Sequence, residues 1–79
     1  MTYPAGTLFE LTEWALRGNY QTLPRGFYLI ISSKKIEFPN MESIVEYLVL
    51  LPDGSVEKTI ADSVWFRKGL KKVNPEEYE

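Results

Sequence analysis

The side chains that carry most protein chemistry are missing from this chain. Its 79 residues include no histidine and no cysteine. That removes the commonest general base, the commonest metal ligand, any thiolate nucleophile and any disulfide. Catalysis would then need paired carboxylates, a tuned lysine, or serine acting with lysine. The candidates Asp53, Glu57 and Asp62 fall in a turn, a strand and a helix cap, and backbone chemistry alone accounts for the two aspartates. The spacings of an EF-hand loop, a P-loop and a dinucleotide fingerprint are absent. The expectation is a non-enzyme with no catalytic residue, no metal and no cofactor.

Binding chemistry is better represented. Trp14 and Tyr20 fall in a long first connection and Trp65 follows the central hairpin. Together they could form an amphipathic platform for a protein partner, as exposed Trp and Tyr often do. The competing reading is that Trp65 and Phe66 close the open end of a small core while Trp14 folds back on it. Arg67, Lys68, Lys71 and Lys72 form a basic cluster beside Trp65, with Lys34 and Lys35 as further cations. This composition suits a phosphate backbone with base stacking. It equally suits a solvated edge strand whose lysines discourage aggregation. The net charge of −2 and the acidic tail of Glu76, Glu77 and Glu79 weigh against strong attraction to nucleic acid.

These residues need elements to hold them. The strongest local pattern is the β-prone run 45–51, the turn Pro52-Asp53-Gly54-Ser55, and a second run 56–60. On the first strand Val45, Tyr47, Val49 and Leu51 share one face, and Ile44, Glu46, Leu48 and Leu50 the other. Both faces are largely apolar, so a central strand is expected. The second strand carries Val56 and Ile60 on one face, with Glu57 and Thr59 opposite. Residues 26–33 read as another strand, continuing through residues 35–38 after a kink until Pro39-Asn40 breaks it. Residues 7–12 alternate as a strand with Phe9 and Leu11 inward. A helix over residues 8–17 is the rival there, because Thr7 and Glu10 have capping-box spacing and Gly18 suits a C-terminal cap. Residues 13–25 read as a long loop. Residues 61–66 suggest one helical turn capped by Asp62, and residues 69–73 a last short strand.

The 44% apolar and 14% aromatic content supports a compact core, and the length allows one domain, with its core at about residues 6–73 and a tail at 74–79. No apolar run approaches the roughly 20 residues of a membrane span, and the N-terminus lacks signal-peptide regions. The expected location is the cytoplasm, or a particle assembled there.

The order strand, long loop, strand, loop, strand, tight turn, strand, helical turn, short strand resembles the SH3-like small barrels, the architecture of SH3, Tudor and ribosomal KOW-type domains. The resemblance rests on Ala5-Gly6-Thr7-Leu8-Phe9-Glu10-Leu11, Tyr47-Leu48-Val49-Leu50-Leu51-Pro52-Asp53-Gly54 and Gly69-Leu70-Lys71-Lys72-Val73. The chain is also similar to short phage SH3-like proteins, in which an aliphatic strand ending in Asp-Gly precedes a Leu-containing closing strand. The segments that mark proline-rich-peptide SH3 domains are absent. The resemblance implies an all-β, five-stranded open barrel with one short helical turn before the last strand. It also implies an interaction module, protein-binding or accessory and structural in a phage. The alternative is a nucleic-acid-binding barrel of the KOW or Tudor-like kind. Self-association through an edge at residues 27–33 or 70–73 is left open.

Overall fold

Pro, Asp and Gly in succession favour a reversal of the chain, and one is found at residues 52–55. Leu51 N–H donates to the Ser55 carbonyl at 2.8 Å, Gly54 N–H donates to the Leu51 carbonyl at 3.0 Å, and Gly54 takes φ +89°. Asp53 Oδ1 accepts from the Ser55 amide at 3.0 Å and from its hydroxyl at 2.6 Å. These two bonds, the hydroxyl first, hold the Asp53 carboxyl below its usual value of 3.8. A depressed carboxyl stabilises the fold above its unfolded pKa, and that contribution disappears as pH falls through the folded value. Melts from about pH 5 to about pH 2 should therefore show a steeper acid loss for the wild type than for Asp53→Asn.

The turn joins β3 (Met41–Leu50) to β4 (Val56–Ile60), in register from Leu50 opposite Val56 to Glu46 opposite Ile60. Residues directly opposite in an antiparallel pair share a face. Of the two largely apolar faces of β3, the one carrying Tyr47 and Val49 is the buried one. On β4 the inward residue is Thr59, opposite Tyr47, whereas Val56 and Ile60 are exposed. The Thr59 hydroxyl is satisfied at 2.8 Å by the Ser63 hydroxyl, so the buried polar group carries little penalty.

The computed structural model describes residues 2–18 and 22–73; Tyr20 and the acidic tail lie outside the described residues. β2 (Phe27–Phe38) pairs with β3 across its length, and Ile31 is an extra residue between the Ile30–Val49 and Ser32–Leu48 pairs. This bulge lies inside the run 26–33, and the break expected after Ser33 is absent, since Ser33, Lys34 and Lys35 pair in regular register with Tyr47, Glu46 and Val45. β1 (Leu8–Leu11) pairs with β2 on one side and with β5 (Leu70–Lys72) on the other. The result is an all-β fold, one antiparallel sheet in the order β4-β3-β2-β1-β5. Its edge strands β4 and β5 do not pair, so the sheet stays open. Residues 27–33 are not a free edge as expected, because β2 lies between β1 and β3.

The opening segment proves to be both strand and helix. Residues 13–25 are not all loop: α1 (Glu13–Arg17) follows β1 directly. The cap is Thr12, not Thr7. Its hydroxyl accepts from Ala15 N–H at 3.3 Å and donates to the Lys68 carbonyl at 2.6 Å. α2 (Val64–Gly69) likewise starts one residue later than expected, from Ser63 instead of Asp62. The Asp62 carbonyl accepts from Arg67 Nε at 3.1 Å. Thr12→Ala removes both hydroxyl bonds and should cost about 1–2 kcal/mol in chemical denaturation.

The core lies on one face of the sheet. Phe9, Tyr28, Ile30, Tyr47, Val49 and Leu51 form it, and Phe66 and Leu70 close it. Tyr47 and Phe66 stack at 5.0 Å, and Tyr3 meets Phe9 edge-on at 5.0 Å. Tyr3 reaches this position through a turn in which Thr7 N–H donates to the Pro4 carbonyl at 3.2 Å. Its own amide donates to the Tyr47 hydroxyl at 3.0 Å.

Candidate functional site

The structure brings two of the three aromatic candidates together. Trp14 is on α1, Trp65 is on α2, and the helices pack against each other. Small residues allow the approach. A Cβ at Gly69 would stand 3.6 Å from Ala15 Cβ, 3.9 Å from Trp65 Cβ and 4.0 Å from Trp14 Cζ3. Thr12 N–H donates to the Gly69 carbonyl at 2.9 Å, fixing the start of α1 to the end of α2. Trp65 is half-buried, packed on the core and edge-on to Phe66 at 6.4 Å. Trp14 is 40% exposed, beside a shallow hollow shared with Glu13, Arg17 and Gly18. Trp65 and Phe66 thus have the core-closing role, whereas Trp14 keeps a solvent face. Tyr20 lies outside the described residues.

The basic candidates are dispersed. Lys71 pairs with Glu10 at 3.5 Å, and the register puts Lys72 on the opposite face, across from Phe9. Arg67 bonds the Asp62 carbonyl, and Lys68 is exposed at the end of α2. Lys34 and Lys35 belong to the β2–β3 ribbon, where Lys35 pairs with Glu37 at 3.6 Å. Two faces and two elements therefore share the cluster. Among the described residues no three acidic side chains gather as a metal site.

A groove that sequence reasoning missed lies along the open side of the sheet. It has a volume of about 500 Å³, with Tyr3, Phe9 and Phe66 as floor. Ser43, Ile44 and Val45 of β3 form one bank, and Leu70, Lys71 and Lys72 of β5 form the other. The groove exists because β4 pairing starts only at Glu46 while β3 runs back to Met41. The Pro4-Ala5-Gly6 turn that folds Tyr3 inward was the available sequence signal. A second hollow of about 590 Å³, largely apolar, lies among residues 4–8, Phe27, Lys72 and Val73.

The fold and site define a small all-β domain with an open antiparallel sheet and a tryptophan-bearing helix pair. No family model matches the chain, and neither the curated proteins nor the solved structures contain a match. Among the described residues, no helix is long and apolar enough to cross a membrane.

Proposed function

We propose that the chain is a non-enzymatic interaction module that binds a partner protein at the surface built by α1 and α2. The observation that carries this reading is Trp14, whose large ring keeps a solvent face while anchored against Gly69. A partly exposed tryptophan is a favourable binding anchor, since its ring offers a large amphipathic contact area. The absence of histidine and cysteine from the sequence supports a binding role over catalysis.

The strand order, with β1 between β2 and β5 and a short helix entering the last strand, supports the resemblance to SH3-like barrels. Within that resemblance the chain is read as an accessory or structural phage-type protein, acting in the host cytoplasm or in a virion. Pull-down from the native host or particle, with Trp14→Ala and Tyr20→Ala beside the wild type, tests the proposal. Loss of the anchor should weaken the partner by about 2 kcal/mol, roughly thirtyfold. Retention of every partner by both variants would contradict it.

Nucleic-acid binding through Arg67, Lys68, Lys71, Lys72 and Trp65 has less geometric support. Lys71 is occupied by Glu10, and Lys71 and Lys72 lie on opposite faces. That reading requires salt-dependent binding of oligonucleotides at about 50 mM salt.

A further inference from the structure

The ribbon formed by the far ends of β2 and β3 has an open edge along β2. β1 leaves β2 early. Its pairing covers Phe27 to Leu29, and the last bonds join Ile30 N–H to the Thr7 carbonyl and Gly6 N–H to the Ile30 carbonyl. Farther along, Ser33, Lys34, Lys35 and Ile36 pair in regular register with Tyr47, Glu46, Val45 and Ile44. The Val45 carbonyl accepts from Ala61 N–H at 2.8 Å, on the side away from β2. Lys35, directly opposite Val45, therefore turns its own N–H and C=O outward, and by alternation Ser33 and Glu37 do the same. The irregularity between Ile36 and Phe38 puts its extra residue on β3, so the β2 edge stays regular. Among the described residues no strand pairs with β2 on this side beyond Ile30.

The edge is complementary to itself in one register. Lys35 and Glu37 share a face, with their charged ends 3.6 Å apart and both side chains exposed. In an antiparallel pair of two copies centred on Ile36, Lys35 of each copy faces Glu37 of the other. Centring on Lys35 or on Glu37 instead sets like charges directly opposite, which is destabilising. Lysines on an edge ordinarily oppose strand addition. Here the glutamate two residues on offsets them for one partner, a second copy. On the other face Ile36 meets Ile36 of the second copy. Ile44 and the exposed Phe38 and Met41 flank it, since Ile36 lies opposite Ile44 and Phe38 opposite Met41. The lengths also agree. Pro39 of the second copy stands opposite Ser33, so its turn stops short of Ile30, where β1 covers the edge. A two-stranded ribbon is marginal by itself, and added strands support it.

We propose that two copies of this chain join through the β2 edge at residues 33–38, antiparallel about a two-fold axis at Ile36. Lys35 and Glu37 exchange backbone hydrogen bonds with Glu37 and Lys35 of the second copy, and their side chains pair across the seam. The apolar strip of Ile36, Phe38, Met41 and Ile44 becomes continuous with its counterpart. This surface is separate from the α1–α2 face and does not depend on the protein-binding reading.

Sedimentation velocity of the full chain up to about 1 mM tests this, with a doubling of mass expected as concentration rises. Lys35→Glu and Glu37→Lys each set like charges across the seam twice, and each should weaken association about tenfold or more. An equimolar mixture of the two variants is complementary again and should associate within about threefold of the wild type. Glu57→Lys, on the edge strand β4, should leave association unchanged. The absence of cysteine from the sequence permits a second measurement. Directly opposed residues of a non-hydrogen-bonded pair lie within disulfide reach, so Ile36→Cys should oxidise to a linked dimer about tenfold faster than Lys58→Cys on β4. Circular dichroism checks that each variant is folded, and the crosslinking pair keeps the test valid if a charge variant does not fold. A monomer at every concentration, indifference to both charge reversals, failure of the mixture to associate, or faster crosslinking by Lys58→Cys overturns the proposal.

Discussion

Replacing Tyr47 by alanine is expected to cost about 3–5 kcal/mol, a large share of the chain's stability. Tyr47 is fully buried, stacks on Phe66 at 5.0 Å, and holds the Tyr3 amide through its hydroxyl at 3.0 Å. Its loss opens a cavity at the junction of β3, α2 and the N-terminal segment. A chain of this size has a total stability of roughly 4–12 kcal/mol, so one such cavity consumes much of it. Tyr47→Phe isolates the hydroxyl and should cost only about 0.5–1.5 kcal/mol. Urea unfolding followed by tryptophan fluorescence separates the two. Equal losses for both would mean that the hydrogen bond, and not ring packing, holds this end of the core.

Gly26→Ala is expected to cost about 2–4 kcal/mol, for two reasons that act together. Gly26 has φ +140°, which side chains with a Cβ rarely adopt. A Cβ there would stand 2.9 Å from Pro52 Cβ and 3.1 Å from Pro52 Cγ, and a proline ring cannot swing aside. The contact seats the chain entering β2 on the β3–β4 turn. Close by, the Tyr28 hydroxyl donates to the Pro24 carbonyl at 2.7 Å. Burial first, and then the charge of Asp53, raise the Tyr28 phenol above its usual 10.0. Gly54→Ala is the control. Its φ is also positive, but nothing lies within 4 Å of the added Cβ, so only the backbone cost of about 1–2 kcal/mol is expected. Differential scanning calorimetry should rank Gly26→Ala below Gly54→Ala in midpoint. Equal midpoints would contradict the steric role of Pro52.

Local chemistry made the central hairpin legible in sequence. Pro52, Asp53 and Gly54 each bring a conformational preference, and the two-residue period puts Tyr47, Val49 and Leu51 on one face, although two largely apolar faces left open which is buried. The irregularity in β2 was not readable, because Ile31 bulges inside an apolar run and not at the break expected after Ser33. What failed depended on contacts distant in sequence. Thr12 caps α1 partly because its hydroxyl also reaches Lys68, and no local pattern around Thr12 announces that partner. Thr59 turns inward because the register sets it opposite the buried Tyr47 of β3, although Val56 and Ile60 are the more apolar residues.

The candidate site divides in the same way. Trp14 and Trp65 were visible as residue types, but their meeting over Gly69 requires the helix pair. Lys71 and Lys72 look like one cluster in sequence, yet adjacent strand residues point to opposite faces and Glu10 occupies one of them. The groove was invisible because it depends on where strands stop pairing, and pairing limits are set by register.

The most direct test of the interaction-module reading is amide exchange on the chain alone and in complex with the partner it captures. Slowed exchange in Glu13–Arg17 and Val64–Gly69 on binding, with Val56–Ile60 unchanged, is the predicted result. Slowing confined to Val56–Ile60, with both helices unaffected, would contradict it.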